Sequence, residues 1–408
     1  MDEPIPPPPW MTDPATRAVI AALEAAGGPD CARFVGGCVR DSLLDRPVLD
    51  IDIATRLTPS QTAAALEAAG LRAVPTGVEH GTVTAISERR PFEITTLRRD
   101  VETDGRRAVV AFTTDWAQDA ARRDFRLNAL YLDRDGVIHD PVGGGVADAR
   151  AGRIVFVGDA AMRIREDYLR VLRFFRFFAW YGRGEPDADA LAACSALKDG
   201  VATLSGERVA KELLKLLAAP DPRAALRLME RTGVLAVLLP LAPNLPRFEA
   251  MVGIEGDPVL RLAALMPDAP DAALDLARRL RLSNPYRDRL ATALDPTPAL
   301  SADLTPPQVR RALYRLGAQR FGDRVRLAWA ASGGPAEPWR GLLAQAEGWT
   351  RPAPPVTGAD AKRFGVAQGP ALGTALRAVL DWWIEADFPD DRAAAIARLE
   401  AAIREAKG

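Results

Sequence analysis

Lysine is scarce in this chain: five of its 53 basic residues are Lys and the rest are Arg. Cysteine is scarcer. Cys31, Cys38 and Cys194 are widely spaced and odd in number, which excludes a disulfide framework and a thiolate zinc site. The two histidines, His80 and His139, are too few for a histidine-built metal centre. Any metal must therefore be held mainly by oxygen, as Mg²⁺ and Mn²⁺ are. No apolar run approaches the roughly 18 residues that a membrane span needs. An excess of one charge is missing too, since 53 basic residues face 54 acidic ones for a net charge of −1. Overall electrostatics thus does not mark a nucleic-acid binder. Arginine suits planar, bidentate recognition, but Arg-over-Lys usage also follows genome composition, so local clusters must carry the information.

With 408 residues, 48% hydrophobic and 26% charged, the chain has the composition of an ordinary soluble protein of two to four structural units. Met1 to Trp10 is acidic and proline-rich, which argues against a signal peptide and predicts a flexible tail over residues 1–28. A reducing, cytoplasmic compartment is expected. Residues 29–157 read as an α/β head. Arg33–Val35 is a strand, Gly36-Gly37 a turn, Val39–Leu44 a helix start and Leu49–Ala54 a second strand. Pro59–Ala69 is a helix closed near Gly70. Thr82–Ser87 and Phe92–Arg98 alternate like paired strands, and Asp135-Gly136 turns a hairpin. From Met162 the periodicity is helical, with helices predicted over Arg163–Tyr181, Glu207–Ala218, Pro222–Leu239, Val259–Leu265, Ala272–Leu280 and Pro306–Leu316. Ser332–Pro338 and Pro352–Gly358 read as linkers.

Leu49-Asp50-Ile51-Asp52-Ile53 is the most informative stretch. Alternation along a strand places Asp50 and Asp52 on one side and the apolar residues on the other. Two adjacent carboxylates repel unless a proton or a divalent cation lies between them. Just upstream, Gly36-Gly37-Cys38-Val39-Arg40-Asp41 offers a glycine turn and a guanidinium suited to phosphate. Together these point to metal-dependent phosphoryl or nucleotidyl transfer.

Two further clusters support that chemistry. Arg122-Arg123-Asp124-Phe125-Arg126-Leu127-Asn128-Ala129 precedes an apolar strand, and Arg123 is placed to lean on a triphosphate or ribose. Glu166-Asp167-Tyr168-Leu169-Arg170-Val171-Leu172-Arg173-Phe174-Phe175-Arg176-Phe177 puts Arg170, Arg173 and Arg176 on one helical stripe. Asp167 falls among Val171, Phe174 and Phe178, with Arg170 at i+3 as its natural partner. An Asp acceptor beside an Arg donor complements the base edges of cytosine and adenine but not those of uracil and guanine. Glu93 is a candidate third carboxylate on a neighbouring strand. Asp104-Gly105-Arg106-Arg107 reads as a basic loop tip, and Asp140 to Gly145 as a turn. Trp382-Trp383 reads as helix packing.

In this order and spacing, the glycine turn, the Asp pair and the two arginine clusters resemble the bacterial-type (class II) tRNA nucleotidyltransferase and poly(A) polymerase family. Ser205-Gly206-Glu207-Arg208-Val209 continues the resemblance, as do Thr357-Gly358-Ala359-Asp360, Gly365 and Gly369-Pro370. The resemblance implies an α+β nucleotidyltransferase head, with a small mixed sheet, followed by an elongated all-α neck (158–240), body (241–350) and tail (356–408). It implies metal ligation by Asp50 and Asp52, two Mg²⁺ ions (or Mn²⁺), and phosphate and sugar contacts from Gly37, Arg40 and Arg123. Asp167 and Arg170 would read the incoming base, with Arg173 and Arg176 nearby. The implied reaction is addition of C, C and A to the 3′ end of tRNA from CTP and ATP, with no membrane and no obligatory protein partner. Poly(A) synthesis and A-only addition are the alternatives within the family. Outside it stand an RNA-binding protein with an inactive head, which the intact Asp pair opposes, and a small-molecule nucleotidyltransferase, which needs no such helical extension. Arg126 and Leu127 stand where Thr and Ile or Met are common.

Overall fold

Ala32–Val35 (β2) lies inside a mixed sheet because both of its faces are covered: Phe34 is buried against one core and Val35 against another. The computed structural model describes residues 3–103, 108–239, 241–364 and 369–405. The loop expected at Asp104–Arg107, and Gly365, lie outside the described residues. The chain divides into two units, Met1–Leu241 and Ala242–Gly408.

In the first unit β1 (Glu3–Pro4), β2, β3 (Asp52–Thr55), β4 (Arg72–Gly77), β5 (Thr82–Ser87), β6 (Arg90–Thr96), β9 (Tyr131–Leu132) and β10 (Val137–His139) form one sheet. Its order is β1-β10-β9-β2-β3-β6-β5-β4. The ribbon β7 (Arg98–Thr103) and β8 (Ala108–Phe112) is separate. β3 pairs antiparallel with β2 and parallel with β6. Side-chain alternation sorts the two faces. Phe34, Ile53, Ile94 and Leu132 join the core under the helices Pro14–Gly27 and Pro59–Ala68, whereas Val35, Ala54 and Tyr131 face the other way. Asp52 and Glu93 are one residue out of phase with Ile53 and Ile94, so they share that second face.

The predicted order of elements in the head is observed. Three boundaries differ, each for a physical reason. Residues 3–27 are ordered rather than a tail. Glu3 and Pro4 pair with β10, and Trp10 packs edge-on against Phe34 at 4.7 Å. Asp13 then caps the helix Pro14–Gly27 by accepting from the Ala15 amide. Val19, Ile20 and Leu23 recur at helical spacing and are buried; the proline count masked this pattern.

The strand predicted from Leu49 begins only at Asp52. Its partner β2 ends at Val35, because Gly36 (φ 72°) turns into the helix Gly37–Leu43. Residues 49–51 consequently have no β2 partner to pair with, although β6 extends to Arg90 on the other side. Leu49, expected on the buried face, is 90% exposed.

The single helix predicted over Arg163–Tyr181 is two, Ala160–Glu166 and Leu169–Tyr181, broken at Asp167 (φ −156°, ψ 106°). The Asp167 carboxylate accepts from the Leu169 amide at 3.1 Å, which satisfies a free N–H of the new helix. Tyr168 fills the space over Gly200, where a Cβ would sit 2.0 Å from the ring. Gly200→Ala must displace Tyr168 and is expected to cost about 1–3 kcal/mol, measured as a lower urea midpoint with an unchanged slope.

Beyond residue 200, Gly206–Leu217 matches expectation. Pro222–Leu239 is interrupted at Gly233 (φ 76°) into Arg223–Arg231 and Val234–Leu238. The second unit is helical among its described residues. Pro306–Leu316 occurs as predicted. The linker predicted over Ser332–Pro338 shrinks to Gly333–Pro335, since Ala318–Ser332 and Ala336–Glu347 are helical. Tyr314, Trp383 and Phe388 pack edge to face within it.

Candidate active site

The site lies at the edge of the second face of the central strands, where Asp52 is half-buried beside the covered Val35, Ala54 and Tyr131. The register pairs Asp52 with Glu93 across the parallel β3–β6 ladder, so the third carboxylate suggested by sequence is adjacent. Burial, then the charges of Glu93 and Asp50, push the Asp52 carboxyl up to about 6, with Arg123 partly offsetting them. Asp50 precedes the strand and is exposed. Carboxylates that repel one another in this way are stabilised in their charged form by a bound cation. Among the described residues no three His, Cys, Asp or Glu side chains form a protein-only metal cage. Mg²⁺ does not require one, because it commonly takes one or two carboxylates and completes its octahedron with water and substrate phosphates. The donors present fit it.

Arg123 borders this face. Its Nη1 lies 3.7 Å from the position of a Cβ on Gly36, so arginine and glycine turn are neighbours. Asp119, one helical turn upstream and 1% exposed, holds it at 3.0 Å and holds Arg122 at 2.7 Å. The Tyr131 hydroxyl donates to the same carboxylate at 2.7 Å. Burial alone would raise the Asp119 carboxyl, but Arg123 and Arg122 outweigh it and hold it at about 2. Its charge therefore supports the fold above the unfolded value of 3.8 and that support is lost as pH falls through about 2. Asp119→Asn leaves two guanidinium groups facing a neutral amide. We expect a loss of roughly 3–5 kcal/mol, the cost of breaking a buried pair, read by chemical denaturation at neutral pH.

Arg40, expected to grip phosphate freely, is only 7% exposed and is engaged inside the protein. It donates twice to Asp41, at 3.0 and 2.9 Å, once to Asn128 Oδ1 at 2.6 Å and once to the Tyr181 hydroxyl at 2.7 Å. A guanidinium has five N–H donors, so a single one is left over. The reason is general: a buried charge must satisfy its donors internally.

The residues expected to read the base are also placed differently from the sequence reading. Asp167 does not pair with Arg170, because the helix break turns them apart. Asp167 instead accepts from Arg208 at 2.7 Å, and Arg170 bonds Glu166 at 2.5 Å. Arg170 also reaches the Arg163 and Arg122 carbonyls, at 2.7 and 3.3 Å. Arg173 donates to Asp124 at 2.7 and 2.5 Å, and Arg176 lies 2.6 Å from Glu212. The stripe of arginines is thus tied to the head by Asp124 and to the helix Gly206–Leu217 by Glu212. Val171, Leu172, Phe174, Phe175 and Phe178 are buried.

Asp119, Arg208, Glu212 and Tyr181 were not foreseen as parts of this arrangement. Only Arg208 carried a signal, as part of Ser205–Val209.

Residues 32–155 match the poly A polymerase head domain, and residues 185–245 match a probable RNA and SrmB-binding site of polymerase A. The chain is 34% identical over 370 residues to CCA tRNA nucleotidyltransferase 1, mitochondrial, of Mus musculus, covering 87% of this chain and 83% of that protein. The CCA-adding enzyme of Geobacillus stearothermophilus is 39% identical over 215 residues, 52% of this chain and 51% of its own. The crystal structure of the Bacillus stearothermophilus CCA-adding enzyme in complex with CTP aligns with a TM-score of 0.74 at 28% identity. That alignment covers 97% of this chain and 100% of the other.

Proposed function

This chain belongs to the CCA-adding tRNA nucleotidyltransferase family, and on that premise we propose which of its residues perform the reaction. The enzyme adds CCA to the 3′ end of tRNA from CTP and ATP and releases pyrophosphate. Relatives that span most of the chain are named for CCA addition, and no observation favours poly(A) synthesis.

Asp50 and Asp52 would hold Mg²⁺, with Mn²⁺ acceptable to the same oxygen donors. When bound, the metal supplies charge neutralisation of the triphosphate and activation of the terminal 3′-hydroxyl. The glycine turn lets the nucleotide approach the backbone at Gly37. Arg123, oriented by Asp119, and the remaining N–H of Arg40 face the phosphates. Asp167 and Arg170 read the base edge, and Arg173 and Arg176 line the same helix. The neck, body and tail, residues 158–240, 241–350 and 356–408, would carry the tRNA. The three buried, unpaired cysteines suit a reducing compartment such as the cytoplasm.

One observation supports the assignment: the register sets Asp52 opposite Glu93 in the parallel ladder, two residues after Asp50, so that carboxylates which repel one another converge beside Arg123 and the glycine turn. The test is incubation with tRNA lacking its 3′ end, Mg²⁺ and each nucleotide. Addition that stops after CCA supports the reading. A growing run of A, or addition that needs no Mg²⁺, refutes it.

A further inference from the structure

A closed polar circuit joins the head to the helix Leu169–Tyr181. Arg40 donates to Asn128 Oδ1 at 2.6 Å, and Asn128 donates to Asp124 Oδ1 at 3.1 Å. Asp124 Oδ2 accepts from Arg173 on the helix at 2.7 Å. Further along that helix, the Tyr181 hydroxyl accepts from Arg40 at 2.7 Å and closes the ring. The Tyr181 ring also lies under the Arg40 guanidinium at 4.1 Å and the Arg46 guanidinium at 4.6 Å. Phe177 stacks on it at 5.7 Å and 27°. Phe177 in turn faces Arg40, Arg173 and Arg176 at 5.4, 5.4 and 4.4 Å.

Selection of a base requires a constant distance between the element that grips phosphate and the element that reads the base edge. Here these are different elements. Arg173 on Asp124 and Arg170 on the Arg122 carbonyl hold the start of the helix to the head. Its far end, about 12 Å further along the axis, is held by Arg46 on the Trp180 carbonyl at 2.8 Å and by Tyr181, and of these two Tyr181 contacts Arg40 directly. The connection runs through Arg40, which follows the glycine turn on the same short helix.

We propose that Tyr181 is a positioning residue for nucleotide selection: through Arg40 it holds the Gly36–Gly37 turn in register with the base-reading segment. The inference rests on the assignment of the nucleotide site above.

The test compares Tyr181→Phe, which keeps the ring and loses the hydroxyl, with Tyr181→Leu, which loses both. The full chain is assayed on tRNA lacking its 3′ end with CTP, ATP and UTP. We expect KM for CTP and ATP to rise roughly five- to tenfold in Tyr181→Phe, the scale of one net hydrogen bond, and further in Tyr181→Leu. The KM for tRNA should stay constant, kcat should stay within about twofold, and UMP incorporation should increase. Unchanged nucleotide KM in both variants overturns the proposal. So does a fall in kcat alone that tracks the folded fraction in a thermal melt, which is the signature of a purely structural tyrosine. Asp52→Asn, assayed alongside, separates the two failures. If it remains active the site assignment is wrong, whereas if it is inactive and Tyr181 is silent only the coupling is wrong.

Discussion

Asp52→Asn is expected to abolish nucleotide addition and, at neutral pH without metal, to raise the melting temperature. Loss of a ligating carboxylate removes several kcal/mol of transition-state charge stabilisation, at least about a thousandfold in rate. Asp50→Ala should share that loss, and both variants should still bind tRNA. The stability effect has the opposite sign. The Asp52 carboxyl titrates near 6 in the fold against 3.8 for the free group, pushed up first by burial and then by Glu93. Between those values the native state binds more protons than the unfolded chain, so stability falls as pH rises through the window. Above about pH 6 the full penalty applies, up to about 3 kcal/mol, and an uncharged Asn escapes it. Thermal melts at pH 4 and 7.5 provide the check. The variant should match the wild type at the lower pH and exceed it at the higher one. Mg²⁺ with CTP should stabilise only the wild type. A variant that melts at or below the wild type at pH 7.5 would show that Asp52 is not the strained anion described here.

The second large effect concerns choice of base. In the proposed base-reading role, Asp167→Ala removes the acceptor for the amino group of cytosine or adenine. The discrimination attributable to such a base-edge contact is roughly 1–3 kcal/mol. The ratio of kcat/KM for CTP over UTP, and for ATP over GTP, should therefore fall by about one to two orders of magnitude, with tRNA affinity preserved. Competition assays with paired nucleotides measure it directly. Because Asp167 is paired with Arg208 in this structure, the incoming base must share or displace that guanidinium, which has a second consequence. Arg208→Ala should change KM for CTP and ATP by similar factors, because competition with one internal partner affects both bases alike. Equal selectivity in wild type and Asp167→Ala would remove Asp167 from base reading.

Much of the site is visible in the chain because its signals are local. The Gly36-Gly37 turn, the Asp50–Asp52 pair and the 122–129 and 166–177 clusters each lie within a few residues, where strand alternation and helical spacing are reliable guides. Glu93 was within reach for the same reason, since a second alternating strand needed only the right neighbour. The errors share a cause. The start of β3 depends on where β2 ends, which is set by Gly36 sixteen residues earlier in the chain. The N-terminal helix was hidden behind prolines whose backbone role is satisfied by pairing and by position N1. The helix break at Asp167 was hidden because its carboxylate does better capping the next helix than continuing the previous one.

The sequence by itself determined which residues could bear charge near a nucleotide, and it set the alternation of strands and helices that carries them. Only the tertiary structure decided which charges remain available. Asp119 claims part of Arg123, Asp41 and Tyr181 take most of Arg40, Glu166 holds Arg170 and Arg208 meets Asp167. Periodicity is a property of a few consecutive residues, whereas partners such as Asp124 and Arg173 come from distant segments. Which distant carboxylate satisfies a given guanidinium is settled when the elements pack and each buried charge must find its counter-charge.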